Sequence, residues 1–458
     1  MPRRPCGAAA AAASGEHSDD RDGVAHDQLS RAAGTGVTGL GDLQDPAFLD
    51  DPYPVYRRLL ETPVAWDDAH AMWLISGHAE VLAALTSPHT SVATAGARIR
   101  PALGARAAHF EPLIAAISHF LTRADPPDHT RLRSLVQQAF TNHAVDMQQA
   151  AVRELVATLL DGLATSAEAD VMTGLAVPLP ITVITRMLGM PETDQARLKT
   201  WSDDLASVAD NDPREAVLER AQQSLSAMRD HVLSAVAERA HRPGPDLLSA
   251  LIAAEEAGDR LSPDELFGMV QVLLIAGQET TTNLIGNALH ALLEHPDALA
   301  RLRAEPALMA SAVEECARWD TPVQSRTRVA TADFELGGQA VSAGQTLFLL
   351  LGAANRDPRA FADPDRFDIA RTHNHHVAFG HGVHYCLGAG LARQETRAAL
   401  EGLLARWPGL ALASGARPRR QPNFGLRGFT ELRVILSSDE RRGPAASVPD
   451  LAGKESPR

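Results

Sequence analysis

The sequence predicts a mainly α-helical protein with small β-sheets, and three observations favour this class. Hydrophobic residues make up 45% of the 458 residues and charged residues 22%, a composition typical of a globular chain with a sizeable core. A capping box at Ser262-Pro263-Asp264-Glu265 precedes an apolar stretch that runs to about Glu294. This stretch predicts one central helix of roughly 45 Å. Strand patterns are few and short, so we expect one large helical domain.

Further patterns place the other elements around this long helix. Residues 1–40 and 437–458 are rich in small and polar residues, which predicts disordered tails around a single domain at 41–436. Helical patterns occur at Asp128–Phe140, Gln148–Leu163, Pro213–Ala240, Ala307–Trp319 and Leu387–Arg406. Strands are predicted at Met72–Ser76, Arg326–Ala330, Phe334–Leu336, Thr346–Leu351 and Leu432–Leu436.

Charge and cysteine usage narrow the class of protein. With 43 Lys and Arg against 57 Asp and Glu, the net charge is −14, which argues against nucleic-acid binding. The three cysteines imply no disulfide framework and fit a reducing compartment. No window offers the ~18 apolar residues of a membrane span, and the run Ala8–Ala13 is too weakly apolar for a secretory signal. We therefore expect a cytoplasmic protein without membrane contact.

The most informative segment is Phe379 to Gly388, which reads Phe-Gly-His-Gly-Val-His-Tyr-Cys-Leu-Gly. Its glycines suit a tight turn that approaches a flat or bulky group closely. Cys386 stands where the predicted helix Leu387–Arg406 begins, and a helix N-terminus lowers a thiol pKa and favours a metal-binding thiolate. A small buried hydrophobe is the alternative for a lone cysteine. A zinc site is a weaker alternative without a second cysteine nearby; its histidines would be His373, His375, His376, His381 and His384.

The pattern Phe-x-x-Gly-x-His-x-Cys-x-Gly resembles the haem-binding signature of the cytochrome P-450 family, the haem-thiolate monooxygenases, in its soluble bacterial form. The resemblance implies the cytochrome P-450 fold, in which a cysteine-ligand loop lies beside a long central helix. It also implies that Cys386 is the axial thiolate ligand of haem b, that His384 binds a haem propionate and that Phe379 and Gly380 contact the haem. A thiolate ligand favours O–O cleavage. The similarity extends from about Asp45 to Leu436.

A second segment, Ala276 to Thr281, lies midway along the long helix and resembles the family's oxygen-binding stretch. A glycine followed by a run of threonines predicts a local distortion, because threonine hydroxyls can bond back to the preceding turn. The resemblance implies that Glu279 and Thr280 deliver protons to oxygen. It also places Ala276 and Gly277 against the haem. A kinked helix without a catalytic role is the alternative.

The resemblance also implies partners for the two haem propionates. Buried carboxylates require cationic or hydrogen-bonding groups. His129 and Arg133 match the family's helix that supplies such groups, and Arg328 matches its strand contribution. Each of the three would be an ordinary surface charge if it were found alone.

Glu315 and Arg318 form a Glu-x-x-Arg pattern, whose charges can meet on one helix face. Taken alone, this pattern is very common on protein surfaces. Together with the segments Asn355 to Pro358 and Pro364 to Phe367, it is similar to the family's structural core. The resemblance implies a buried ion network of Glu315, Arg318 and Arg366 that supports the cysteine loop.

The leading hypothesis is a monooxygenase that uses O2 to hydroxylate or epoxidise a lipophilic small molecule in bacterial secondary metabolism, such as a polyketide, terpenoid or modified peptide. Electrons would come from external NAD(P)H through a ferredoxin and ferredoxin reductase, because the chain shows no flavin or dinucleotide module. Arg393 and Arg397 could form a positive patch for the ferredoxin. By family analogy, the pocket would be lined from Pro88–Thr122, Leu175–Ala209, Ile275, Val323 and the turn Phe424 to Leu426.

Three alternatives remain open. The first is a haem-thiolate protein that binds a ligand without turnover, and Glu279 and Thr280 argue against it. The second is an atypical family member that uses peroxide or rearranges its substrate, which the same pair also disfavours. The third is a zinc-binding helical protein that uses the histidine cluster.

Overall fold

The computed structural model describes residues 39–93, 103–118, 120–209, 215–256, 258–415 and 417–438. The predicted tails, residues 1–40 and 437–458, lie almost wholly outside the described residues. In the described part, the predicted class is confirmed, because helices dominate and the sheets are small. None of the described helices is both long and apolar enough to cross a membrane.

The helices are numbered in chain order. Before the long helix they are α1 (Pro46–Asp50), α2 (Tyr53–Leu59), α3 (His78–Thr86), α4 (Glu111–Ser118), α5 (Asp128–Ala139), α6 (Asn142–Met147), α7 (Gln149–Leu163), α8 (Pro178–Met187), α9 (Gln195–Ala209), α10 (Glu215–His241) and α11 (Leu247–Ala253). The long helix is α12 (Pro263–Glu294), and it is followed by α13 (Pro296–Ala304), α14 (Met309–Trp319), α15 (Leu351–Ala354) and α16 (Ala389–Arg406).

The strands form one five-stranded sheet and several smaller ones. The large sheet has the order β1 (Val64–Asp67), β2 (Met72–Ile75), β10 (Thr346–Leu350), β7 (Ser325–Ala330) and β3 (Thr90–Ser91). The smaller sheets contain β4 (Glu168–Asp170), β5 (Glu255–Glu256), β6 (Asp259–Arg260), β8 (Phe334–Leu336), β9 (Gln339–Val341), β11 (Ala411–Leu412), β12 (Arg419–Arg420), β13 (Phe429–Glu431) and β14 (Arg433–Ile435).

Helix α12 forms as predicted, and its capping box is the reason for its start. The Glu265 backbone N–H donates to Ser262 Oγ at 3.3 Å, and the Ser262 N–H donates to the Glu265 carboxylate at 2.8 Å. Both bonds satisfy donors that have no partner within the helix. Helices α8, α9, α14 and α16 pack around α12 and bury most of its side chains. The long helix is therefore the centre of the core.

The predicted element boundaries agree with the observed ones to within two residues. Strand β8 forms over its predicted range, and the other predicted strands shift by one residue at one or both ends. The predicted helix Pro213–Ala240 corresponds to α10, and residues 213 and 214 lie outside the described residues. The start of α16 at Ala389 rather than Leu387 matters, because it changes the position of Cys386 relative to the helix.

Candidate active site

One cavity joins α12 to the loop that carries Cys386. The volume of this cavity is about 250 Å³. Its walls are formed by α5, α12, β7 and the segment from Ala378 to Ala392. Every predicted site residue except Glu279 lines it: His129, Arg133, Ala276, Gly277, Thr280, Arg328, Phe379, Gly380, His384 and Cys386. Residues that lie up to 257 positions apart in the chain are thus brought to one site.

The cysteine loop owes its shape to two glycines with left-handed backbones. Gly380 has a φ of 70° and Gly382 a φ of 69°, a region that side chains disfavour. A Cβ on Gly382 would also lie 3.1 Å from Thr86 Cγ2. The turn closes when the Cys386 N–H donates to the Phe379 carbonyl at 2.9 Å. This closure places Cys386 at the cavity wall.

The predicted lowering of the Cys386 pKa is wrong. Burial raises the pKa of this thiol, although the Gly388 N–H and the charges of Arg326 and Arg133 act in the opposite direction. Burial outweighs the helix because α16 begins at Ala389, so that the thiol lies before its first turn. A coordinating metal ion deprotonates a thiol outright, so a metal bound at this position would favour the thiolate that burial opposes.

The oxygen-binding stretch keeps a continuous helix. Thr280 Oγ1 donates to the Ala276 carbonyl at 2.8 Å, which confirms the predicted bond to the preceding turn. Helix α12 nevertheless runs without interruption from Pro263 to Glu294, so the predicted distortion does not break it. Thr280 lines the cavity, whereas Glu279 is half-buried and is not among the described lining residues. The structure therefore brings Thr280, but not Glu279, to the cavity wall.

Four side chains of the cavity wall, which we call the propionate set, lie near one another: His129, Arg133, Arg328 and His384. The imidazole rings of His129 and His384 lie 4.2 Å apart. Burial lowers the pKa of His384 to about 4, and the neighbouring His129 and Arg328 contribute. Burial likewise lowers the pKa of Arg328 to about 10, with a contribution from Arg326. The positive charge there is therefore carried by the two arginines, while burial favours the neutral form of both imidazoles.

The predicted ion network forms, but with a different third member. The Arg318 guanidinium donates two bonds of 2.8 Å to Glu315, and neither side chain is exposed. The third cation is Arg371, whose Nε lies 3.1 Å from Glu315. The Arg366 side chain is 68% exposed, and only its backbone carbonyl reaches the network. Arg366 is therefore wrong as a network side chain, because its side chain points to solvent.

Sequence reasoning missed Glu314, which joins α14 to both sides of the cysteine loop. Its carboxylate accepts two bonds from Arg393, at 2.6 and 2.9 Å, and lies 3.1 Å from the His376 ring. Although burial opposes the shift, these hydrogen bonds lower the pKa of Glu314 to about 2. The signal was available in principle, since Glu314 directly precedes the Glu-x-x-Arg pattern.

The contacts of Arg393 and Arg397 do not support the predicted positive patch. Arg393 is bound to Glu314 and lies over the Phe379 ring, with its guanidinium carbon 4.2 Å from the ring centre. Arg397 forms a 2.7 Å bond with Glu401. Both charges are thus compensated by carboxylates. Arg393 instead fixes the first residue of the cysteine loop.

The predicted zinc alternative has no geometric support in the part of the chain that the structure describes. No group of three or more His, Cys, Asp or Glu side chains comes together there in a metal-binding arrangement. The histidines are separated by their contacts, since His376 pairs with Glu314 and His384 packs on His129.

The residues present fit a haem. Both ring nitrogens of His129 are buried without a hydrogen-bond partner, which is rare for a buried polar group. No Asp or Glu stands among the described residues that line the cavity, although three Arg side chains do. Two buried propionates would supply the missing acceptors and negative charge. The thiol of Cys386 on the same cavity offers the ligand for the iron.

The predicted pocket regions are confirmed in part. Neither Ile275 nor the turn Phe424 to Leu426 is among the described lining residues, and Phe424 instead stacks on Phe48 with ring centres 5.3 Å apart. The apolar lining comes from Val92, Leu121, Ile184, Met269, Val272, Leu273, Val323 and Leu351, among others.

Fold and site together define a helical protein of the haem-thiolate class. The sequence model of the family described as cytochrome P-450 matches residues 105–423. The chain is 41% identical to the cytochrome P-450 monooxygenase PikC of Streptomyces venezuelae, over 89% of this chain and 96% of that protein. It is 38% identical to the 6-deoxyerythronolide B hydroxylase of Saccharopolyspora erythraea, over 87% of this chain and 100% of that enzyme. The chain therefore belongs to the cytochrome P-450 family.

Solved structures agree with this assignment. The crystal structure of CalO2 superposes with a TM-score of 0.81 at 34% identity, covering 87% of this chain and 98% of that one. A second solved structure is a cytochrome P-450 in complex with an acyl carrier protein that carries hexadec-9Z-enoic acid. It superposes with a TM-score of 0.78 at 35% identity, covering 85% of this chain and 100% of that one. The predicted fold is confirmed, and the protein is a monooxygenase of this family. Its members use haem with a cysteine thiolate ligand, small-molecule substrates and redox partners.

Proposed function

We propose that residues 41–436 form one catalytic domain in which Cys386 ligates the iron of haem b. The enzyme then inserts one oxygen atom from O2 into a lipophilic small molecule, by hydroxylation or epoxidation. The observation that carries this proposal is that the Cys386 thiol and the Thr280 hydroxyl line the same cavity as the propionate set. Bound haem supplies the chemistry of oxygen activation.

The chain's own residues hold the cofactor and move protons. The propionate set offers hydrogen-bond donors to two carboxylates, and Phe379, Gly380, Ala276 and Gly277 line the space for the ring. Thr280 holds a hydroxyl in the cavity, where its oxygen can accept a hydrogen bond from a water, and its proton can be donated once it leaves the Ala276 carbonyl. Glu279, the preceding residue in the chain, supplies protons to Thr280 from outside the cavity wall.

The apolar lining supports a lipophilic substrate. Most side chains that line the cavity outside the propionate set are aliphatic, which favours ligands with a large hydrocarbon surface. Relatives of this chain include a polyketide biosynthesis cytochrome P-450 of Bacillus subtilis, 38% identical over 70% of this chain. A polyketide in bacterial secondary metabolism is therefore the substrate class we favour, ahead of a terpenoid or a modified peptide.

Electrons reach this enzyme from NAD(P)H through a ferredoxin and its reductase. The family uses redox partners, and the ferredoxin system is the partner we propose for this chain. Arg393 and Arg397 are compensated by carboxylates, so they do not form the positive docking surface.

A Thr280→Ala variant tests the proposed proton delivery. The variant should still consume reductant and oxygen while product formation per reductant falls by about tenfold or more, because the positioned hydroxyl is lost. The measurement is NAD(P)H oxidation against product in the system reconstituted with ferredoxin, ferredoxin reductase and a substrate found by difference spectroscopy.

The matched control is Thr282→Ala. Thr282 lies on the same helix, but its hydroxyl donates to the Ala176 carbonyl at 2.9 Å and does not line the cavity. This variant should lose stability and keep its ratio of product to reductant. An unchanged ratio in Thr280→Ala would refute the role of Thr280.

A further inference from the structure

Thr281 is a buried polar residue of the cavity wall that the proposed function leaves without a task. Among the described lining residues, the polar side chains that are buried are His129, Thr281 and Arg328. His129 and Arg328 belong to the propionate set. Thr281 is 4% exposed, and neither the haem contacts nor the proton delivery proposed above uses it. Buried polar groups are almost always hydrogen-bonded, so we ask what Thr281 binds.

The hydroxyl of Thr281 differs from those of its two neighbours in the chain. Threonines in a helix commonly donate to the carbonyl one turn earlier, and Thr280 does so, with a bond of 2.8 Å to Ala276. Thr282 donates to the Ala176 carbonyl at 2.9 Å. The Thr281 hydroxyl has no hydrogen-bond partner in the part of the chain that the structure describes. Its proton is therefore available to a ligand in the cavity.

Gly277, one turn before Thr281, leaves space in front of this hydroxyl. Side chains of a helix lean toward its N-terminus, so the Thr281 side chain lies over the turn that contains Gly277. Both residues line the cavity. A Cβ on Gly277 would have Ile184 Cγ1 as its nearest neighbour, at the ordinary contact distance of 3.7 Å. Packing within the protein therefore does not require a glycine here, and the space is open to a ligand.

The surroundings of this space are apolar and uncharged. Leu273 lies one turn before Gly277 on the same face of α12, and Ile184 faces them from α8. A ligand along this face would place hydrocarbon against Leu273 and Ile184 and an oxygen atom at Thr281. A carboxylate in this position would be buried without a cation, which is costly, whereas a neutral carbonyl needs only a hydrogen-bond donor. The Thr281 hydroxyl can be that donor.

We propose that Thr281 donates a hydrogen bond to a ketone or ester carbonyl of the substrate, whose hydrocarbon part lies along Leu273 and Ile184. The inference rests on the proposed function, because it assumes a haem in the same cavity. It adds a carbonyl group at a defined position to the lipophilic substrate class. It also makes Thr281 a residue that determines specificity, distinct from the role proposed for Thr280.

Titrations of the haem-loaded protein with cyclooctanone and cyclooctane, followed by difference spectroscopy, test this inference. The two probes share one ring and differ in the carbonyl group. Thr281→Val replaces the hydroxyl by a methyl group of similar size. It should weaken the binding of cyclooctanone about tenfold and change the affinity for cyclooctane by less than about twofold. Thr281→Ser keeps the hydroxyl and should retain most of the affinity for cyclooctanone.

Thr282→Val is the matched control, because the Thr282 hydroxyl is bonded to Ala176 and the residue is not among the described lining residues. This variant should keep both affinities. If Thr281→Val does not fold, Thr281→Ala provides the same comparison of the two probes. The inference is overturned if the loss of the hydroxyl weakens both probes equally or neither of them. Release of haem by Thr281→Val would also overturn it, since that result would assign the hydroxyl to the cofactor.

The spectrum of the reduced protein with carbon monoxide separates this inference from the proposed function. A missing thiolate band in haem-loaded wild-type protein would refute the ligation by Cys386. A normal band, together with an unchanged affinity of Thr281→Val for cyclooctanone, would refute only the role of Thr281.

Discussion

His129 shows how a side chain buried for a ligand differs from one buried for stability. It is 1% exposed, and neither ring nitrogen has a hydrogen-bond partner. Leaving such groups unsatisfied costs about 1–3 kcal/mol, so the protein without its ligand bears this cost. A haem propionate that accepts a bond from the ring removes it. The sequence indicated His129 only through the family resemblance, because its spacing on α5 alone is that of any helix residue.

A His129→Leu variant should fold and release haem faster, by about tenfold or more, because one propionate loses its donor. The measurement is the rate of haem transfer to an excess of apomyoglobin. His109→Leu is the control, since His109 is 58% exposed and pairs with Glu219 outside the cavity wall. Equal release rates in the two variants would exclude His129 as a haem contact.

Helix α14 is the element that holds the cysteine loop in place. Two neighbouring glutamates of this helix bind different partners. Glu314 binds His376 and Arg393. Glu315 binds Arg318 and Arg371. The sequence predicted the Glu315–Arg318 pair from its i, i+3 spacing. It named Arg366, which belongs to the segment Pro364 to Phe367, and missed Arg371, because only the path of the loop decides which side chain turns inward.

An Arg371→Ala variant should lower the free energy of unfolding by about 2–4 kcal/mol, because it removes charged hydrogen bonds around the buried Glu315. Arg366→Ala should change it by less than about 0.5 kcal/mol, as expected for an exposed side chain. Urea unfolding of the two variants measures the difference. A larger loss of stability in Arg366→Ala than in Arg371→Ala would support Arg366 as the third cation and contradict the observed network.

At the scale of the whole molecule, the sequence predicted those structural features that are determined by residues close together in the chain. The capping box located the start of α12, and the glycines located the cysteine loop. The five-stranded sheet could not be predicted, because β2 pairs in parallel with β10, more than 270 residues further along the chain. The prediction of a lowered Cys386 pKa was wrong for a related reason. The start of α16 and the burial of the thiol are set by the surrounding fold rather than by adjacent residues.

The ligation of iron by Cys386 is the claim on which the account depends, and one spectrum tests it most directly. Haem-loaded protein, reduced and exposed to carbon monoxide, should show the red-shifted Soret band of a thiolate-ligated haem. Cys386→His should keep haem and lose this band, and Cys316→Ala, which changes a buried cysteine that contacts the Ala288 carbonyl, should retain it. A thiolate band that persists in Cys386→His, or is absent from fully loaded wild-type protein, would contradict the account.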